Sequence, residues 1–473
     1  MKVDARVMDT ATTQDKARQK PKKSARPEWI AVKSFALAIL VGTFLLALPV
    51  SSREGVWTAP VDALFTATSA TCVTGLIVVD TGSYFSGFGQ SVILALIQVG
   101  GLGIMTLGTF LLVAVGRRVS ISHEKVVLGA IGTVPVRGLK SILLLTILFT
   151  VVSQLIGAAI LTTRFMARGF GQLRSVELGV FHSISAFCNA GFSLFADSLI
   201  GVRQDPALVL TVSCLIVLGG LGFLVVHNIA FLRPWRRNRV KRGRLALHSK
   251  LVLTATGLLI VSGWLLFALL EWHGTLEGLP LSDKLTAALF HSITPRTAGF
   301  NVVDMAEVSP SGQFLTMVFM FIGGGSGSTA GGIKVTTVMV LWLTVVAMVK
   351  GRGETVVGNR AVPIRVVREA VSIFVLGALC VILLFGALLV VEQYNLLLKP
   401  GVTAFDLLFE LVSAFGTVGL STGVTADLSP AGKLLITVCM FIGRLGPMTL
   451  ALVIGHRELG QSIAYPEEEL FVG

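Results

Sequence analysis

The sequence predicts an all-α membrane protein: four pseudo-fourfold repeats of helix, re-entrant pore loop and helix, eight spanning helices in all, around a central ion pore. Three observations predict it. Of 473 residues, 53% are hydrophobic and only 14% charged, where a soluble chain carries about 25% charged residues. Eight apolar runs, 29–50, 86–115, 139–162, 206–232, 248–272, 313–349, 368–392 and 431–456, reach the roughly 20 residues that a spanning helix needs. One short glycine-bearing segment lies within each successive pair of runs.

Those segments read Ser69-Ala-Thr-Cys-Val-Thr-Gly75, Ser185-Ala-Phe-Cys-Asn-Ala-Gly191, Ile293-Thr-Pro-Arg-Thr-Ala-Gly299 and Ser413-Ala-Phe-Gly-Thr-Val-Gly419. Their last glycines recur at intervals of 116, 108 and 120 residues. Each segment is too short and too polar to cross a bilayer. The repeats are then 29–115, 116–232, 233–349 and 350–456, preceded by a basic tail, 1–28, and followed by a short tail, 457–473.

Charge sets the orientation. Segments 1–28, 116–140, 233–250 and 350–368 hold 26 of the 39 Lys and Arg against 6 of the 26 Asp and Glu. The polar segments between the other runs, 51–85, 163–205, 273–312 and 393–430, hold 8 Lys and Arg against 13 Asp and Glu. The positive-inside rule puts the four basic segments, and both termini, in the cytoplasm of a multi-pass plasma (inner) membrane protein. An even number of crossings must separate successive basic segments, which two spans and a re-entrant loop provide. The first apolar run starts near Trp29 and continues to Val50, too far in and too long for a signal core. Basic loops between spans need no nucleic acid partner; membrane lipids suffice.

Each loop has a similar approach. Asp62, Glu177, Asp283 and Asp406 precede an apolar stretch that leads into the motif, the pattern of a helix N-terminal turn. A short pore helix would enter the membrane there and break into extended backbone, which is tolerated at that depth only where it lines a cavity or is buried in protein. Rings of backbone carbonyls replace a cation's hydration shell. Glycine permits the positive φ and the close approach that four converging strands require. The expected ion-binding ring is therefore Val73, Thr74 and Gly75; Asn189, Ala190 and Gly191; Thr297, Ala298 and Gly299; Thr417, Val418 and Gly419. Asp80, Asp197, Asp304 and Asp427 follow the glycines and would concentrate cations outside. The third loop is one residue shorter between Phe290 and Gly299 than its counterparts, so one strand is expected to sit differently.

The second helix of each pair carries glycines again: Val99-Gly-Gly-Leu-Gly103, Leu218-Gly-Gly-Leu-Gly222, Ile322-Gly-Gly-Gly-Ser-Gly327 and Ile442-Gly-Arg-Leu-Gly446. The third is expanded to Gly323, Gly324, Gly325, Ser326, Gly327, Ser328, Thr329, Ala330, Gly331 and Gly332, followed by Ile333 and Lys334. Its run of 37 residues exceeds one span, so this helix alone is expected to be broken, with a mobile loop under the pore. Arg444 and Lys334 read as the only formal charges well inside apolar helix, where charge usually faces a cavity or a partner. Arg444 is expected on carbonyls of the 323–332 loop; Lys334 is expected either there or snorkelling to the cytoplasmic face. His182 and His291 read as packing residues of the pore helices. The glycine run lacks the order of a phosphate loop. The five cysteines show no Cys-x-x-Cys spacing, so neither a disulfide framework nor a metal site is indicated. No paired carboxylates or nucleophile–base set marks an enzyme.

These residues resemble the Trk/Ktr/HKT superfamily of potassium transporters over about 29–456. The most specific pieces are His291-Ser-Ile-Thr-Pro-Arg-Thr-Ala-Gly-Phe-Asn301, the broken Gly323–Lys334 segment and Phe441-Ile-Gly-Arg-Leu-Gly-Pro-Met-Thr449. Eight spans without an extra N-terminal pair resemble the Ktr-type membrane subunit. The resemblance implies K⁺ uptake by a homodimer with one pore per subunit, over a cytosolic nucleotide-binding ring of RCK type. It implies that the intramembrane loop is a gate and Arg444 its partner. In the family four filter glycines go with K⁺ and a serine at the first with Na⁺ permeation; here the first is Gly75. A Na⁺-permeable or poorly selective cation transporter on the same fold is the alternative. No residue decides whether Na⁺ is a coupling or activating ion.

Overall fold

The computed structural model describes residues 27–103, 139–231, 245–357, 360–395 and 398–446. The two expected tails and the basic segments 116–140 and 233–250 lie wholly or largely outside the described residues. In chain order the helices longer than the single turn Thr81–Tyr84 are α1 (Pro27–Ala47), α2 (Pro60–Cys72), α3 (Gly87–Leu102), α4 (Leu139–Ala167), α5 (Gln172–Phe187), α6 (Pro206–Leu221), α7 (Phe223–Phe231), α8 (Leu247–Glu271), α9 (Leu281–Ile293), α10 (Pro310–Phe321), α11 (Val335–Val349), α12 (Ile364–Glu392), α13 (Ala404–Gly416) and α14 (Pro430–Leu445). The described strands are a two-residue antiparallel pair, Val356–Val357 with Arg360–Ala361, between α11 and α12.

Among the described residues, Leu144–Ala167, Leu247–Glu271 and Ile364–Glu392 are each long and apolar enough to cross a membrane. The bent pair Pro206–Leu221 and Phe223–Ala230 makes a fourth, and Val32–Ala47, Gly87–Leu102 and Val335–Val349 are apolar but shorter. The long helices leave apolar side chains outward, Leu265 and Leu269 on α8 and Ile382 and Val390 on α12 among them. Hydrocarbon solvates such a surface and water does not.

The centre belongs to the short helices. α2 buries Phe65 through Cys72, including Thr66, Thr68, Ser69 and Thr71; α13 buries Phe409 through Gly416, including Glu410 and Ser413. Small hydroxyl-bearing residues thus sit inside beside the apolar core, which includes Ile93, Leu161, Ile216 and Ile436. Helices α3, α6, α10 and α14 start on capping residues: Ser86 accepts from Gly89 N, Asp205 from Leu208 N, Ser309 from Gly312 N and Ser429 from Gly432 N. Proline follows the last three caps at the first helical position, where its missing N–H costs nothing. Side chains of the long helices α8, α12 and α4 hold three of these caps. Glu271, ending α8, accepts from Ser309 N (3.1 Å) and Oγ (2.5 Å), and Glu392, ending α12, accepts from Ser429 N (3.0 Å) and Oγ (2.6 Å). In the second repeat Arg164 of α4 reaches Asp205 instead, at 3.0 and 3.1 Å.

Two expectations change here. The run 206–232 is not one helix: α6 and α7 meet at 91° across Gly222, whose φ of 87° favours glycine. The break after the third loop, between α10 and α11, is therefore not the only one. Glu177 does not open its helix: α5 begins at Gln172 and Glu177 pairs with Arg174 at 2.7 Å. Asp62, Asp283 and Asp406 do lie in the first turns of α2, α9 and α13, the last in a capping box with Thr403.

Candidate ion pathway

The structure brings Gly75, Gly191, Gly299 and Gly419 together, each facing the next. A Cβ at Gly75 would meet the Ala190 carbonyl oxygen at 2.5 Å, and one at Gly191 the Ala298 oxygen at 2.9 Å. At Gly299 and Gly419 it would press closer still, on the Val418 and Thr74 oxygens. In each case the neighbour is the carbonyl just before the next glycine, and the circuit closes. All four glycines have positive φ, between 71° and 97°. Only glycine combines that backbone with such close approach.

Three of the four helices entering the ring, α2, α5 and α13, end in a common way. Val73 N donates to Ala70 O and Thr74 N to Ser69 O; Asn189 and Ala190 repeat this on Ala186 and Ser185, Thr417 and Val418 on Ala414 and Ser413. This paired bonding is the Schellman closure. A hydroxyl at the start of each motif then ties the far side down. Ser69 Oγ donates to Leu76 O (2.7 Å) and Ser185 Oγ to Phe192 O (2.8 Å), while Gly419 N donates to Ser413 Oγ (3.0 Å). In the third loop Thr294 takes this part by donating to Phe300 O, six residues on rather than seven. The missing residue lies between hydroxyl and ring, and Ala298 N bonds Thr294 O where its counterparts reach back five residues.

Beneath the ring, the first glycine of each second-half motif lies against a backbone carbonyl. A Cβ at Gly100, Gly219 or Gly443 would collide with the carbonyl of Thr71, Phe187 or Phe415; at Gly323 it would meet Gly331 O. Residues 322–334 separate α10 from α11, and Lys334 stands at the start of α11 rather than inside a helix. This segment explains the bend at Gly222. Gly325 N donates to Gly220 O (2.9 Å), Thr329 N to Gly219 O (3.4 Å), and Phe223 N to Gly327 O (3.1 Å). The loop thus takes over hydrogen bonds that a continuous helix would make. Arg444 Nη1 donates to Thr329 O and Nη2 to Gly100 O, at the carbonyl end of α3. Lys334 Nζ folds back onto Ala330 O at 2.5 Å. Gly331 and Gly332 pack against Thr417 and Gly416 of the fourth loop.

The acids after the ring are engaged locally. Asp80 accepts from Ser83, Asp197 from Gly201 N and Asp304 from Ala306 N, and Asp427 pairs with Lys399 at 3.2 Å. His182 stacks on Phe195 and bonds Ser193, and His291 stacks on Phe267 and bonds Thr316.

Besides Asp205, Glu271 and Glu392, sequence reasoning missed two buried charged residues beside the ring. Glu410, inside α13, accepts from Ser421 Oγ (2.5 Å), Thr422 N (3.1 Å) and Thr425 Oγ1 (2.6 Å), fixing the chain after Gly419. Arg296, buried in the third loop, reaches Thr256 O at 3.4 Å. Glu410 was findable as the one acid between the apolar pairs Leu407-Leu408-Phe409 and Leu411-Val412.

Residues 7–458 match the family model described as TrkH, a cation transport protein. The chain is 39% identical to the Ktr system potassium uptake protein B of Bacillus subtilis, covering 94% of this chain and 96% of that one. It is 38% identical to the potassium/sodium uptake protein NtpJ of Enterococcus hirae, over 96% and 99%. The fold superposes on the crystal structure of the potassium transporter TrkH from Vibrio parahaemolyticus with TM-score 0.71 and 22% identity, over 93% and 86%. The family is one of transporters, not enzymes, and this chain belongs to it: the TrkH family of cation transport proteins.

Proposed function

We propose that this chain is the membrane subunit of a K⁺ uptake system of the Ktr type. K⁺ passes through a filter of backbone carbonyls, with one glycine from each of four repeats, and the 323–332 loop with Lys334 and Arg444 is its gate. The observation that carries this is the closed ring, in which Gly75, Gly191, Gly299 and Gly419 each face the carbonyl before the next glycine. Carbonyl dipoles on four strands can replace a hydration shell without a fixed charge to trap the ion. The repeats 29–115, 116–232, 233–349 and 350–456 each cross the plasma membrane twice, with both termini cytoplasmic, as the basic segments require. The chain works as a homodimer over a cytosolic nucleotide-binding ring; relatives named for a Ktr system support a multi-component assembly.

The second reading is a Na⁺-permeable or poorly selective transporter, favoured by the relative named for both potassium and sodium uptake. Uptake in a K⁺-uptake-deficient cell, with Na⁺ and Rb⁺ as competitors and with Na⁺ present or absent, separates the two. Rescue at low K⁺, with Rb⁺ competing and Na⁺ not, is the expected result. Equal Na⁺ and K⁺ flux would overturn the K⁺ assignment, and no cation flux would overturn the function itself.

A further inference from the structure

Five non-glycine residues among those described have a left-handed backbone: Val73, Asn189, Ser198, Thr297 and Thr417. Four of the five stand two residues before a ring glycine. A β-branched residue in that region is a true outlier, and three of the four are β-branched. The Schellman closure of α2, α5 and α13 places Val73, Asn189 and Thr417 at the position where glycine is the usual choice. Glycine would close these helices without the Cβ strain, yet the chain keeps it for the ring itself. Strain retained at equivalent sites points to work done by the side chains.

Their contacts show what that work is. Val73 Cγ2 lies against Gly100, and the Asn189 amide against Gly219 and Gly220, at the glycine-rich ends of α3 and α6. Thr297 Oγ1 faces the Asn189 side chain at 3.4 Å. Thr417 lies on neither helix end: its Oγ1, Cβ and Cγ2 fill the place where a Cβ on Gly331 would stand, in the loop between α10 and α11. The Thr417 hydroxyl is buried and has no hydrogen-bond partner, so what it offers Gly331 is shape.

We propose that Thr417 is a positioning residue through which the 323–332 loop holds the fourth strand of the ring, as α3 and α6 hold the first and second through Val73 and Asn189. This rests on the reading of the ring as the filter. When the loop stays against Thr417, the Val418 carbonyl keeps its place opposite Gly299; when the loop withdraws, the strand loses its support. Selectivity and gating then share one contact.

The test compares wild type, Thr417→Gly and Thr417→Val in proteoliposomes, with amide hydrogen exchange on the same purified proteins. Glycine removes both the side chain and the strain; valine keeps both and drops only the hydroxyl. Thr417→Gly is expected to lower the K⁺-over-Na⁺ preference about tenfold and to speed exchange across 323–332, with Thr417→Val restoring the preference to within about threefold of wild type. Wild-type preference or wild-type exchange in Thr417→Gly overturns the proposal. So does a Thr417→Val as impaired as Thr417→Gly, which would make the hydroxyl an ion ligand. A wild type without K⁺ preference sinks the filter reading instead, and exchange at 323–332 still decides whether Thr417 holds the loop.

Discussion

Lys433 Nζ of α14 lies 2.8 Å from Asp62 Oδ1 of α2, joining the last helix to the first central helix across 371 positions of sequence. Both side chains are mostly shielded, at 13% and 24% exposure. The pair ties the first turn of α14, just after its Ser429 cap, to the first turn of α2. A half-shielded pair lies between exposed pairs, worth up to about 1 kcal/mol, and buried ones, whose breakage costs about 3–5 kcal/mol. Lys433→Met is therefore expected to destabilise by about 2 kcal/mol, and Asp62→Asn similarly. The double variant should cost less than the two together. Thermal unfolding of all four proteins in detergent measures this; strictly additive losses would mean the pair is not coupled.

Gly75 carries two constraints at once, a φ of 97° and an Ala190 oxygen 2.5 Å from where a Cβ would stand. Gly75→Ser must push the second strand aside or twist its own. The expected result is a fall of about tenfold in K⁺-over-Na⁺ preference, with uptake retained in part. Competition flux in proteoliposomes reads it, and an unaltered preference would show that Gly75 is not part of the filter.

Arg444 grips the loop at Thr329 O and the end of α3 at Gly100 O. Both are charge-assisted bonds, and the second lies at the negative end of a helix. Losing one such bond, worth about 1.5 kcal/mol, shifts the loop equilibrium roughly tenfold. Arg444→Gln, or deletion within 325–330, is accordingly expected to raise K⁺ flux at subsaturating activation. A flux no higher than wild type in both variants would assign the segment a structural part only.

Much of this was legible in the sequence because glycine and charge leave local marks. The spacing of Gly75, Gly191, Gly299 and Gly419, the short third loop, and the excess length of 313–349 are all countable. The bend at Gly222 was not countable. Leu218-Gly-Gly-Leu-Gly222 is as apolar as any span, and what bends it is Gly325 and Thr329 capturing carbonyls of Gly220 and Gly219 from another repeat. That Asp80 and Asp304 also cap turns could not be read from their place after the glycines; their backbone partners show it. The clamps of Glu271 and Glu392 had a readable sign, an acid ending an apolar run 38 or 37 residues before Ser-Pro, but only the folded repeat brings acid and cap together.

Asp205 gives the second repeat a pH-sensitive version of the same clamp. Burial alone would raise its pKa, but the Arg164 hydrogen bonds, the Leu208 N–H and the charges of Arg164 and Arg168 outweigh burial and hold it below the ordinary 3.8. A carboxylate with a depressed folded pKa stabilises the fold above its unfolded pKa and loses that contribution as pH falls through the folded value. The melting temperature is expected to decline between about pH 5 and about pH 3, partly through this group. Asp205→Asn should be less stable than wild type at neutral pH, and the gap should narrow on acidification as the wild-type carboxylate takes up its proton. The Arg164 side chain is 42% exposed, so salt should shrink the gap as well. A difference that stays constant from neutral to acid pH would mean that Asp205 serves only as a neutral helix cap.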